Sequence, residues 1–207
     1  FVAAGGGVNP SRVDEDVLVV SFNSNGDTAW SNYYGNQLKN YSSDIIFKSN
    51  NQLSLTGQTS LSDSTLCILL MNINMAGDSL AKDTWGISSN ISESFGVKIM
   101  EIDSDRVAVM GNYIYGPDNS EFSFGYSFRY GLFFENGSTL GSLDNDVSTS
   151  GVIDQDFGYS IVGFSNGFGN TFDNILLYKT NQEGVTDDFT NFNFHPDTAN
   201  ITTIKKF

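Results

Sequence analysis

A pattern that returns about every 52 residues constrains this chain more than any other feature, because each copy must be a structural unit that its neighbours complete. An apolar segment ending in glycine occurs four times: Phe1-Val2-Ala3-Ala4-Gly5, Leu53-Ser54-Leu55-Thr56-Gly57, Val107-Ala108-Val109-Met110-Gly111 and Tyr159-Ser160-Ile161-Val162-Gly163. These glycines are about 52, 54 and 52 residues apart. A second apolar run follows each: Val17-Leu18-Val19-Val20-Ser21-Phe22, Cys67-Ile68-Leu69-Leu70-Met71-Asn72, Tyr130-Gly131-Leu132-Phe133-Phe134 and Asn174-Ile175-Leu176-Leu177-Tyr178-Lys179. Each run leads into a polar glycine turn, at Asn25-Gly26, Ala76-Gly77, Asn136-Gly137 and Glu183-Gly184. Asn-Gly between apolar runs predicts a tight hairpin, since both residues tolerate positive φ. A third segment tends to end in an aromatic: Asp27-Thr28-Ala29-Trp30, residues 79–85 and residues 185–189, with Ser138-Thr139-Leu140 a degenerate copy. The fourth is Ser43-Asp44-Ile45-Ile46-Phe47, Phe95-Gly96-Val97-Lys98-Ile99, Ser150-Gly151-Val152-Ile153 or Ile201-Thr202-Thr203-Ile204.

Four short strands joined by turns make an antiparallel meander, and one such sheet cannot bury both of its faces alone. Stacking the sheets radially lets each cover its neighbour. The expected fold is therefore all-β: a β-propeller of four units, in a single domain spanning 1–207. The units fall at about 43–85, 95–140, 150–190, and 1–30 together with 200–207. In that phase the three N-terminal strands and one C-terminal strand share a blade and close the ring, which removes two exposed edges. An arc of a larger propeller is the alternative. Helical periodicity is missing; Leu80-Ala81-Lys82 is too short to count.

Composition agrees with many strands and tight turns. Asn, Ser, Thr, Asp and Gly abound, only 3 prolines occur, and 17 Phe, 9 Tyr and 2 Trp supply enough apolar surface for a core. The formal net charge of −14 repels phosphate backbones and anionic membrane surfaces, so nucleic acid is not an expected partner. No stretch of 18 apolar residues predicts a membrane span. The single cysteine, Cys67, sits in an apolar run and reads as a small buried hydrophobe. The chain has no initiator Met and no visible signal peptide, and reads as processed or partial.

The first unit has a recognisable form: an apolar strand (Val17 to Phe22), Asn23-Ser24-Asn25-Gly26, Trp30, Tyr34-Gly35, Ser43-Asp44-Ile45-Ile46, then Leu53 to Gly57 and Thr59. It resembles the propeller repeats of secreted Bacteroidota proteins, which are often exported by type IX secretion. The likeness covers most of the chain and is weakest between Asn112 and Asp146. It implies an extracellular or cell-surface place, and no particular activity. Secreted proteins of that phylum carry O-glycans at Asp-Ser/Thr followed by a small or aliphatic residue. The resemblance thus implies Thr28, Ser64, Ser79 and Thr198 as candidate O-glycosylation sites. Asn40, Asn90, Asn136 and Asn200 head Asn-linked sequons, which in a chain so rich in Asn and Ser are expected from chance.

Catalytic chemistry is hard to assemble from these residues. His195, the only histidine, lies in Phe194-His195-Pro196 with no nucleophile pattern beside it, and His plus Cys are too few for zinc. Acid clusters occur at Asp14-Glu15-Asp16, Asp103-Ser104-Asp105, Asp144-Asn145-Asp146, Asp154-Gln155-Asp156 and Asp187-Asp188, all at strand ends or turns, where Asp serves local hydrogen bonding. Calcium at one cluster is the weaker reading, without EF-hand spacing; no cofactor is otherwise expected. A sialidase Asp-box fails around Gly26, where Trp30 falls one residue late and Ser24 replaces the acid.

Aromatic density peaks in residues 112–130. Phe122-Ser123-Phe124-Gly125-Tyr126-Ser127-Phe128 alternates aromatic with small residues, which is strand periodicity. One strand face packed between blades explains it. A stacking platform for a sugar or a protein is the functional reading, with Tyr113, Tyr115, Phe122 and Tyr126 as ligand-binding candidates and 113–119 as a protruding loop. The expected function is a non-enzymatic extracellular or cell-surface binding or structural module for a protein or glycan, met on a loop face, with membership of a larger surface assembly as a further option. The alternatives are a carbohydrate-active enzyme with an Asp pair at the propeller axis and a passive spacer in a large surface protein. Glycan mass on Thr28, Ser64, Ser79 or Thr198 in native material is the expected result of the resemblance; unmodified residues there count against it.

Overall fold

The computed structural model describes residues 1–12, 14–36, 38–62, 65–86, 91–115, 120–129, 133–140, 145–155, 158–165, 174–181, 186–195 and 198–205. Sixteen strands and no helix occur among them. In chain order these are β1 (Val2–Val8), β2 (Glu15–Phe22), β3 (Thr28–Tyr34), β4 (Asn40–Phe47), β5 (Leu53–Ser62), β6 (Thr65–Ile73), β7 (Ser79–Trp85), β8 (Ile91–Glu101), β9 (Arg106–Tyr115), β10 (Ser120–Arg129), β11 (Phe133–Leu140), β12 (Asp146–Ile153), β13 (Tyr159–Ser165), β14 (Asn174–Thr180), β15 (Thr186–His195) and β16 (Thr198–Lys205). They form several antiparallel meanders: β1-β2-β3, β4-β5-β6-β7, β8-β9-β10-β11 and β12-β13-β14-β15-β16. The two middle meanders merge into one eight-stranded sheet through a parallel pairing of Leu66 with Glu93.

Period-two alternation explains how the meanders stack. On β6, Leu69, Met71 and Ile73 face Val17 and Val19 of β2 in one core, while Ile68 and Leu70 face Val107 and Val109 of β9 in the next. On β9, Ala108 and Met110 turn the other way and pack with Tyr159, Ile161, Leu176 and Tyr178 of the last meander. Three cores therefore lie between four meanders stacked in chain order. A fully buried apolar strand, rather than one with a wet face, is what this layering demands. Cys67 is buried, as its apolar run suggested.

The repeated glycine has a structural cause. The first strand of each later unit carries a β-bulge, at Ser42/Asp44, Gly96/Lys98 and Ser148/Ser150. The residue that starts each bulge pairs with the repeat glycine: Ser42 with Gly57, Gly96 with Gly111, Ser148 with Gly163. A Cβ on any of these three glycines would fall on the backbone carbonyl oxygen of the residue before the bulge, respectively Tyr41, Phe95 and Val147. Only glycine lets the bulged strand approach. The bulges aim polar side chains along the stack: Ser43 Oγ donates to the Gly96 carbonyl at 2.5 Å, and Asp44 accepts from Ile99 N and pairs with Lys98, both at 3.0 Å.

Three features differ from the sequence reading. Asn136-Gly137 is not a turn but part of β11, with Gly137 opposite Tyr126. The place of the second apolar run is taken by β10, the aromatic alternation itself; of the run expected there, 130–134, residues 130–132 lie outside the described ones. Tyr113 and Tyr115 belong to β9, not to a loop; residues 116–119 fall outside the described ones. The C-terminal strand, expected beside β1, pairs instead with β15, with Ile204 opposite Phe189. A two-residue connection makes that hairpin entropically cheap compared with a contact spanning the whole chain. Valine at Gly57, Gly111 or Gly163 is expected to destabilise the protein by about 3 kcal/mol per site, read as a lower urea midpoint.

Candidate ligand-binding surface

The alternation in β9 and β10 puts Tyr113, Tyr115, Phe124, Tyr126 and Phe128 on one face, continued by Phe134 of β11. The rings form a ladder. Tyr113 meets Tyr115 edge-on at 6.5 Å and stacks with Phe124 at 6.5 Å; Phe124 stacks on Tyr126 at 4.6 Å. Tyr126 and Phe128 meet Phe134 at 5.5 and 6.1 Å, and Trp85 closes the row against Phe128 at 5.5 Å. Such pairs add about 1 kcal/mol beyond the area they bury.

Burial falls off along this row. Phe124 and Phe128 are wholly enclosed between the middle meanders. Tyr113 and Tyr126 are half-buried, and the Tyr113 hydroxyl bonds Thr139 Oγ1 at 3.2 Å. Tyr115 is 44% exposed at one end, and Phe133 and Phe134 are 66% and 45% exposed on the outermost strand. So the structure brings Tyr113, Tyr115 and Tyr126 together on one face. Phe122 stands opposite Tyr113 on that face, with a side chain outside the described ones. Most of the row is packing between meanders, and Tyr115 and Phe134 are its exposed members. Burial raises the Tyr113 phenol pKa above its ordinary value, against the hydrogen bond with Thr139, with smaller upward contributions from Tyr126 and Tyr115. It stays neutral and able to donate. Trp85 was not legible as a member of this cluster, because it comes from a different unit; Phe134 lay in the run read as a separate strand, 130–134.

The acids have local work. Asp16 is fully buried, ion-paired with Arg12, and accepts from Asn9 Nδ2 at 2.6 Å and Asn40 Nδ2 at 3.4 Å. Asp103 accepts from the backbone amides of Asp105 and Arg106 at 2.9 and 2.8 Å and from Arg106 Nε at 2.7 Å. Burial pushes the Asp103 pKa up, but Arg106 and those amides outweigh it and hold the carboxyl below its ordinary value. A general acid would need the opposite shift. Asp103 and Asp105 line an open polar cleft of about 610 Å³ with Ser104, Arg106 and Arg129. Asp154 receives Ser160 Oγ and lies 3.7 Å from Lys179. Residues 144, 156 and the side chains of Asp187 and Asp188 lie outside the described ones, as does that of His195, the last residue of β15. No group of three His, Cys, Asp or Glu able to hold a metal occurs among the described residues.

Two of the candidate glycosylation sites occupy equivalent turns. Asn23 Oδ1 accepts from the amides of Asn25 and Asp27, and Asn74 Oδ1 from those of Ala76 and Asp78. Gly26 and Gly77 follow with φ of 89° and 88°, which favours glycine there. Thr28 and Ser79 are exposed just beyond. Ser64 is outside the described residues, and Thr198 pairs with His195, its side chain undescribed. The second turn is also a structural clasp: Trp30 Nε1 donates to the Met75 carbonyl at 3.0 Å, and Asn32 Nδ2 and the Tyr34 hydroxyl donate to the Gly77 carbonyl at 2.9 and 2.5 Å.

No protein-family model matches the chain, and no curated protein matches it. No helix among the described residues is long and apolar enough to cross a membrane. The buried indole Nε1 of Trp85 has no hydrogen-bond partner among the described residues. Trp85→Phe is therefore expected to leave the thermal midpoint unchanged or raise it, whereas Trp85→Ala, which removes the ring that closes the aromatic row, should cost about 3 kcal/mol.

Proposed function

We propose that the chain is a non-enzymatic binding or structural module of a secreted or cell-surface protein, of the Bacteroidota propeller-repeat kind, with its four sheets set about a common axis. One observation carries this reading: each inner meander is used on both faces, Asp16, Asp103 and Asp154 serve turns or ion pairs, and the aromatic row opens to solvent at Tyr115 and Phe134. A ring that stacks on aromatic faces, such as a pyranose, or an apolar protein side chain suits that surface. The −14 net charge disfavours anionic ligands.

Neutral oligosaccharides and candidate surface proteins, titrated while tyrosine signals are followed by NMR, test the binding role. Tyr115→Ala is expected to weaken binding about tenfold, the equivalent of about 1.4 kcal/mol, with the thermal midpoint unchanged. Binding indifferent to Tyr115, or hydrolysis of a glycoside by the purified protein, would overturn it. Small-angle scattering tests the ring: four sheets closed about an axis should give a radius of gyration of about 17 Å, and an extended stack a larger one.

A further inference from the structure

The chain has three arginines, Arg12, Arg106 and Arg129, and two of them stand against each other. Arg106 opens β9, and Arg129, the last residue of β10, is its cross-strand partner. Like charges directly opposite on neighbouring strands destabilise a sheet. With 24 acidic residues in the chain, an opposite charge was readily available for either position, so folding does not account for the pair. Alternation sets both arginines on the face of β9 that carries Ala108 and Met110, away from the aromatic row. Arg106 and Tyr115 are the two ends of β9, about 30 Å apart at strand rise.

The two guanidinium groups are held in place with donors to spare. Glu135 of β11 pairs with Arg129 Nη2 and lies 3.9 Å from Arg106 Nη1, too far for a hydrogen bond. Arg106 Nε donates to Asp103 at 2.7 Å. Among the described residues these are the hydrogen bonds of the two side chains, each of which carries five N–H donors. The arginines border the open cleft of about 610 Å³ that Asp103, Ser104 and Asp105 also line. Asp105 is exposed there, and its carboxylate accepts no hydrogen bond among the described residues. Phe133 completes the corner. It is the register partner of Arg129, and alternation turns it away from Phe134 and the row, to the arginines' face. At 66% exposed it is, after Phe1, the most open large apolar side chain described.

Forked donors, a carboxylate acceptor and an open aromatic face together match a pyranose. Adjacent hydroxyl oxygens accept from a guanidinium fork, hydroxyl protons go to the carboxylate, and the apolar face of the sugar ring lies on the phenyl ring. Charge decides between such a ligand and an anion. Asp103, Asp105 and Glu135 outnumber the two arginines locally, and the −14 net charge repels anions at longer range. We propose that Arg106, Arg129, Asp105 and Phe133 form a binding site for a neutral sugar, a hexopyranoside with two adjacent free hydroxyls. The site is separate from Tyr115, and it stands on its own whether or not Tyr115 binds anything.

With three arginines in the chain, their Nε–H signals give a direct NMR readout on the unsubstituted protein. Titration with methyl α-D-mannopyranoside, methyl α-D-glucopyranoside or methyl α-D-galactopyranoside is expected to shift the Arg106 and Arg129 signals with at least one of them. Arg12, ion-paired with buried Asp16, should not move. Arg129→Lys, which keeps the charge and loses the fork, and Phe133→Ala should each weaken binding about tenfold. Both side chains are more than half exposed, so the thermal midpoint should hold. No arginine shift with any of the three glycosides at about 100 mM overturns the proposal. A site that takes sulfate or methyl α-D-glucuronopyranoside in their place is an anion site and overturns it too, as does binding indifferent to both substitutions. Shifts confined to tyrosine signals reject this site and leave the Tyr115 reading standing; arginine shifts without tyrosine ones do the reverse.

Discussion

The structure depends on inner strands that must be apolar on both faces. Where a sheet has one wet face, alternate residues are polar. Here β6 and β9 divide adjacent apolar residues between two cores, Leu69 and Met71 one way, Ile68 and Leu70 the other. Neither inner meander can then be stable without neighbours on both sides, so cohesion accumulates along the stack and each inner meander serves as the floor of one core and the roof of the next.

Close approach of the strands within a unit is the second constraint. The bulge in each first strand presses a carbonyl onto the place a side chain would take, and glycine is retained there for its missing Cβ. The same bulge turns Ser43 towards the next unit's backbone. Elsewhere polar seams join the units: Asn112 and Ser148 exchange hydrogen bonds at 3.1 and 2.8 Å, and Ser49 N donates to Glu101 Oε1 at 2.8 Å. Polar groups such as Ser43, Asn112 and Ser148 thus mark where one repeat locks to another.

The aromatic row shows how packing and recognition share one feature. Its enclosed rings hold two meanders together, while Tyr115 and Phe134 are exposed. A binding surface built this way inherits rigidity from the core beneath it, which limits the ordering cost when a ligand docks.

Period and alternation alone determined the all-β class, the turns at Gly26 and Gly77, and the strand face of Phe124, Tyr126 and Phe128, because these follow from local backbone preference and side-chain periodicity. The third unit was misread at Asn136-Gly137: the dipeptide has the local chemistry of a hairpin, but pairing with Tyr126 across β10 keeps it extended. Only the tertiary structure decided why the repeat glycines exist, which face of each strand meets which core, and that Trp85 joins a row of rings from another unit. It also set the C-terminal strand against β15. Each of these depends on contacts between residues tens of positions apart, and a sequence read along its length carries no distance between them.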